Sequence, residues 1–295
     1  MSIHSKLIFG GASLVRKGKG YVLGSAQSST SAQEFLERSL ELGIRLYDVA
    51  PIYGLGEAET ELGKFIKKRR EELHVITKGG VGWHPSMRVN MSNDPVHIQS
   101  MLEDSLRRLN TDYIDTYLLH WPDAKVDVRY PLETLLKAKT SGKVLNVGLG
   151  NSHQADFEKA LELTDDLSFQ SEFNFFNQHS FDFTPPDSFK MGWATFAKGV
   201  LSGSVLEDRQ FDPNDARSYA IWWKKGPWKE QARRVQEILE KFSFSFSDLK
   251  KFSLSKSISE GVHPIVGVSS LSQLEELVAI ECTNVPEELE REFRL

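Results

Sequence analysis

One cysteine, Cys282, stands among 295 residues, so no intrachain disulfide framework can form and a cysteine-built zinc site is excluded. No run approaches the roughly 18 apolar residues of a membrane helix, and the opening MSIHSKLIFGG is too short and too broken by glycine for a secretory signal. Neither sign of charge dominates. The 36 Lys plus Arg face 41 Asp plus Glu, a formal net charge of -5, without the basic excess expected of a protein that binds nucleic acid or an acidic membrane. A cytoplasmic protein, as a monomer or small homo-oligomer, is the expectation, and the charge balance does not choose its partner. Phosphate-loop and nucleophile-elbow patterns (G-x-x-x-x-G-K-[ST], G-x-S-x-G) are also missing from the sequence. The stretch Gly18–Gly24 (GKGYVLG) fails as a dinucleotide fingerprint, because its last gap is too long and no helical pattern follows. None of the eight histidines falls in HExxH or a comparable spacing, so no catalytic metal is expected.

What the chain does have is a globular proportion of apolar residues, 40% hydrophobic with 21 glycines besides, and a regular alternation of two periods. Short β-rich runs begin near Leu7 and recur at 43–49, 73–78, 113–120, 144–149, 167–173, 190–196 and 263–268. Between them lie longer segments of helical period. Ser31 with Glu34 forms a capping box ahead of Phe35, Leu36 and Leu40. Asp94-Pro95 starts a second helix whose stripe Ile98, Met101, Leu102, Leu106, Leu109 runs to Asn110. Eight βα units predict an α/β fold, a (β/α)8 TIM barrel formed by 1–295 as one domain. The sixth unit is the weakest, since FFNQHSFDFTPPD carries little helical period. Two segments read as loop insertions on the catalytic face: VRKGKGYVLGSAQSS after the first strand and the aromatic run Ser218–Trp228 after the seventh. The run Lys67–Arg70 reads as a solvated helix terminus.

In such a barrel the strand ends share one mouth, and here they deliver Asp48, Lys78 and His120, with Tyr53 five residues beyond Asp48. A phenol with a pKa of roughly 10 is a poor acid at neutral pH. An ammonium about 4 Å away favours the phenolate by roughly 4 kcal/mol at an effective dielectric of 20, equivalent to about two to three pKa units. Asp48 paired with Lys78 would keep the amine charged and in place, and His120 would orient a carbonyl oxygen toward Tyr53. The competing reading is an ordinary buried ion pair beside a satisfied histidine.

The segments GIRLYDVAPIYGLGEAE, VITKGG, YIDTYLLHWP, VGLGN, SFQSEFN, WATFAKGVLSG and PIVGVSSLSQLEE, in this order, resemble the aldo-keto reductase family over most of the chain. The resemblance implies a barrel that binds NADP or NAD without a Rossmann fold, with Tyr53 as general acid or base and Asp48, Lys78 and His120 as its partners. It further implies that Asn151 and Gln170 bond the nicotinamide carboxamide and that Trp193 stacks on the ring. Each residue has a plainer alternative: a chain turn, a backbone contact, a barrel filler. Gly199, Leu201 and Gly203 correspond to the pyrophosphate loop, and Gly267, Ser269, Ser270, Gln273 and Glu276 to the adenosine end. Ser270 with Gln273 is equally a capping box.

This chain departs from the family at Gly150, where many members carry Ser, at Gln273, where NADP-preferring members often carry Arg, and at Leu277, in place of an adenine-contacting Asn. A neutral glutamine lacks the guanidinium's clamp on a 2′-phosphate, so the NAD or NADP preference stays open. Trp83 and Trp121 are expected to wall the substrate pocket, with Tyr21 and the loop bearing Trp222, Trp223 and Trp228 as candidate lids; surface or dimer packing is the alternative for that trio. The implied activity is reversible, NAD(P)(H)-dependent interconversion of an aldehyde, ketone or sugar carbonyl with its alcohol. The alternatives are a nucleotide-binding regulatory subunit on the same barrel and a metal-dependent barrel hydrolase.

Overall fold

A computed structural model describes residues 5–15, 30–84, 89–211, 213 and 215–293. Eight parallel strands close into a barrel in the order β1-β10-β9-β8-β7-β6-β3-β2. They are β1 (Ile8–Gly10), β2 (Leu46–Asp48), β3 (His74–Gly79), β6 (Ile114–Leu119), β7 (Val144–Gly150), β8 (Ser168–Glu172), β9 (Lys190–Trp193) and β10 (Val262–Val266). Every one falls within or against a segment that the period-2 pattern marks. The remaining strands, β4 (Val81–Trp83) and β5 (Val89–Met91), form an antiparallel hairpin over the mouth-side end of β3, which the sequence reading did not anticipate.

The helices are α1 (Ala32–Glu41), α2 (Glu57–Ile66), α3 (Pro95–Leu109), α4 (Arg129–Thr140), α5 (Gln154–Leu161), α6 (Ala216–Tyr219), α7 (Ile221–Lys224), α8 (Trp228–Phe242), α9 (Phe246–Ser259), α10 (Leu271–Val278) and α11 (Glu287–Glu292). Their start signals act as expected. Ser31 and Glu34 form the reciprocal capping box of α1. Asp94 Oδ1 accepts from the amides of Val96 and His97 to open α3, whose buried stripe ends at left-handed Asn110. Residues 174–189, between β8 and β9, hold turns and one isolated bridge between Asn174 and Asn177 but no helix, in line with the poor period of that unit.

Alternation along the strands sorts the barrel interior into layers. Asp48, Lys78, His120, Gly150, Gln170 and Trp193 share one face and cluster at the C-terminal ends of their strands. Beneath them Ile8, Ile76, Leu118, Met191 and Ile265 fill the barrel axis. At the opposite end His74 and His263 flank Phe189, beside a cleft of about 370 Å³ lined by Leu46, Asn146 and Ser168 among others. The outward faces pack against the helices in the main core, as Phe9, Tyr47, Val75 and Val147 do.

Two sequence readings need correction. Trp223 and Trp228 are not lids; they are buried and stacked on each other at 5.2 Å, inside a second apolar cluster with Val200, Leu201 and Val235. Tyr21 and the side chain of Trp222 lie outside the described residues. Nor is the Lys67–Arg70 run wholly solvated: Arg70 bonds Asp115 at 2.6 Å and lies over the Tyr113 ring, while Arg69 pairs with Glu37.

Candidate active site

The loop carrying Tyr53 is wound tightly by its own sequence. Gly54, Leu55 and Gly56 have φ of 61°, 54° and 90°, and two glycines make such a left-handed run possible. Leu55 carries the strain, of order 1–3 kcal/mol, that such a residue costs. The Gly56 amide bonds the Pro51 carbonyl at 2.7 Å and closes the loop just before α2 begins.

Lys78 is fully buried, and its ammonium donates to Asp48 Oδ1 at 2.7 Å, Asp48 Oδ2 at 2.8 Å and the Val49 carbonyl at 2.8 Å. Burial pulls its pKa down, and the Asp48 charge and hydrogen bonds oppose that pull. Nζ lies 5.3 Å from the Tyr53 ring centroid. The Tyr53 and His120 rings meet edge to face at 6.3 Å. Burial, with a further contribution from the Lys78 ammonium, holds His120 well below the usual imidazole range, so the ring is neutral at neutral pH. Its Nδ1 is buried without a hydrogen-bond partner among the described residues. The four residues expected to act together therefore meet at one end of the barrel.

The amides expected to face a cofactor are already held. Gln170 Nε2 donates to Asp48 Oδ1 at 2.8 Å, a side-chain contact rather than the backbone one considered above. Asn151, left-handed at φ 53°, donates to the His120 carbonyl at 2.9 Å and accepts from Trp193 Nε1 at 2.8 Å. It both turns the chain and ties three strand ends together. Gly150, where a serine was the commoner expectation, allows a close approach: a Cβ there would stand 2.8 Å from the His120 carbonyl oxygen. Trp193 is half-buried beneath the Lys198 ammonium, which lies 5.0 Å from its ring and pairs with Glu172.

After β9, Ala194, Ala197 and Lys198 all take positive φ before Gly199 at 109°, a concentration of strain typical of ligand-binding loops. The Leu201 side chain is buried in the second cluster, and its amide donates to the Phe196 carbonyl at 3.1 Å. Gly203 is left-handed at φ 74°. After β10, a Cβ on Gly267 would meet nothing within 4 Å. Ser270 caps α10 by accepting from the Gln273 amide at 3.2 Å, but Gln273 Oε1 returns to Ser269, at 2.9 Å from its amide and 3.0 Å from its hydroxyl, so the box is shifted by one residue. Glu276 pairs with Lys250.

Of the expected pocket walls, Trp121 is 42% exposed beside His120, whereas Trp83 in β4 sits 5.9 Å from the Arg108 guanidinium. Sequence reasoning passed over the partner of that guanidinium, Glu59, which is fully buried. Its signal was a charge on the α2 stripe otherwise made of Leu62, Gly63 and Ile66. Among the described residues no group of three His, Cys, Asp or Glu gathers to hold a metal ion, and no helix is long and apolar enough to cross a membrane.

Comparison with known proteins agrees with the geometry. The Aldo/keto reductase family profile matches residues 6–290. The aldo-keto reductase YhdN of Bacillus subtilis is 27% identical over 74% of this chain and 68% of its own length. An aldo-keto reductase of Schizosaccharomyces pombe, yakc [NADP(+)], is 24% identical over 84% of this chain and 77% of its own. Among solved structures, the glycerol dehydrogenase AKR11B4 of Gluconobacter oxydans superposes with a TM-score of 0.77 at 22% identity, covering 98% of this chain and 90% of that one. With an eight-stranded barrel, a family match from end to end and a charged cluster at the mouth, the chain belongs to the Aldo/keto reductase family of NAD(P)-dependent oxidoreductases.

Proposed function

We propose that the protein interconverts a small aldehyde, ketone or sugar carbonyl with its alcohol, with Tyr53 passing the proton. The observation that carries this reading is the Lys78 ammonium, anchored by three bonds and standing 5.3 Å from the Tyr53 ring centroid. The cofactor-facing groups fit a nicotinamide nucleotide. Gln170 and Asn151 offer amides, His120 Nδ1 is a buried nitrogen without a partner among the described residues, and a Cβ on Gly267, ahead of α10, would meet nothing within 4 Å. When bound, the nicotinamide supplies or accepts the hydride.

In reduction, neutral His120 donates a hydrogen bond that orients the carbonyl oxygen, and Tyr53 gives that oxygen its proton. Lys78 stabilises the phenolate left behind, and Asp48 keeps Lys78 charged and fixed while Gln170 holds Asp48. Trp193 would stack on the nicotinamide, and the strained loop 194–203 with residues 267–276 would take the phosphates and adenosine. Trp121 would wall the substrate.

The test is titration of Trp fluorescence with NADH and NADPH, then turnover on a panel of polyols, aldoses and aromatic aldehydes. Tyr53→Phe is expected to lower kcat at least 1,000-fold while either nucleotide binds within about twofold of wild type. Substantial turnover by the variant would remove Tyr53 from the proton's path. Binding without turnover by the wild type on any substrate would favour the regulatory-subunit alternative.

A further inference from the structure

Glu59 is a fully buried carboxylate with no part in the chemistry described so far. It accepts from Thr77 Oγ1 at 2.7 Å and from Arg108 Nε at 2.6 Å. Thr77 is the neighbour of Lys78 on β3, and strand alternation turns one outward and the other into the barrel. Glu59 stands on the first turn of α2, directly after the left-handed Gly54–Gly56 segment that follows Tyr53. Its bond to Thr77 therefore joins the downstream end of the Tyr53 loop to the strand that carries Lys78.

Arg108 reaches in from α3 and lies under the same loop, where a Cβ on Gly56 would stand 2.7 Å from its Cδ. The charge of Glu59 also reaches through the sheet, opposing the effect of burial on Lys78. The other charged or titratable groups facing Lys78 are Asp48 of β2, Tyr53 of the loop and His120 after β6. Around Glu59 they are Arg108 of α3 and the buried phenol of Tyr117 on β6.

We propose that Glu59, held by Arg108 and Thr77, is a positioning residue that fixes the Tyr53 loop against the Lys78 strand and so sets the separation of phenol and ammonium. This rests on Tyr53 being the proton donor. A brace that only stabilised the barrel would affect melting alone. A brace that sets this separation must also affect proton transfer.

The experiment compares Glu59→Gln, which keeps the size of the side chain but not its charge, with Thr77→Val, which removes only the link to β3. Both are expected to lower kcat for carbonyl reduction about tenfold or more, with NADH or NADPH Kd unchanged in the titration. Glu59→Gln should also move the kcat limb set by the Tyr53–Lys78 pair to lower pH by roughly half a unit, because removing a negative charge favours the deprotonated forms of both groups. If Glu59→Gln fails to fold, Thr77→Val carries the test. Lowered melting temperatures with wild-type kcat and pH profile overturn the proposal and leave Glu59 a brace. Tyr53→Phe, measured alongside, separates the two readings: an active Tyr53→Phe sinks the proton-donor reading itself, whereas a dead Tyr53→Phe beside unaltered Thr77→Val sinks only this inference.

Discussion

Replacing Asp48 by Asn tests the charge balance at the barrel mouth most directly. The carboxylate receives two bonds from a fully buried ammonium, at 2.7 and 2.8 Å, and one from Gln170 at 2.8 Å. Asn is nearly the same size and still accepts one bond from Lys78, so any loss is electrostatic rather than steric. Stripping one partner from a buried ion pair costs about 3–5 kcal/mol. The alternative route, discharging an ordinary lysine at pH 7, costs about 4.6 kcal/mol, from ~3.4 units at ~1.36 kcal/mol each, so the two estimates agree. Urea denaturation at pH 7 should therefore show the variant about 3–5 kcal/mol less stable.

The pH dependence gives a sharper criterion. Without Asp48, burial depresses the folded-state pKa of Lys78 further, so between that pKa and the unfolded value near 10.4 the unfolded chain binds more protons. Variant stability must then rise with pH across that window, and its deficit against wild type must shrink between pH 7 and pH 9.5. A deficit below 1 kcal/mol, or one that stays constant over this range, would refute the view that Asp48 chiefly compensates the charge on Lys78.

Two further outcomes are expected elsewhere in the barrel. Burial holds both His74 and His263 below the usual imidazole range, so their contribution to stability is complete above about pH 6.5 and is lost as pH falls below it. His74→Gln keeps an acceptor or donor for Thr116 Oγ1 and should flatten the decline of Tm between pH 7 and pH 5; a decline parallel to wild type would contradict this. Trp228→Ala should cost about 3–5 kcal/mol by opening the stack with Trp223 and its edge contact with Phe211, and should leave substrate KM unchanged. A changed KM with near-normal stability would instead reinstate that aromatic run as a lid.

The barrel was legible because its signals are local. Eight barrel strands announce themselves as short apolar runs, and Ser31, Asp94 and Asn110 mark helix ends through side-chain and backbone chemistry that needs no distant partner. Asp48, Lys78 and His120 were legible for a related reason: each ends a strand, and closure of the sheet alone brings strand ends together. What escaped notice depends on contacts between elements. The antiparallel pairing of β4 with β5 is one that no periodicity encodes. Trp223 and Trp228 looked like surface aromatics until α8 and α9 supplied a second core to receive them. Glu59 shows the limit most clearly, since a lone charge on an apolar helix stripe signals a buried partner without saying that Arg108, 49 residues on, provides it.

The aliphatic layer of Ile8, Ile76, Leu118, Met191 and Ile265 acts as a floor beneath the tetrad. It separates two polar ends of one tube, the Asp48, Tyr53, Lys78 and His120 cluster above and the His74–His263 end below. Hydrocarbon of this kind carries no chain of water, so on the proposed role of Tyr53 a hydrogen ion given up there would have to be replaced from the solvent side of the barrel mouth.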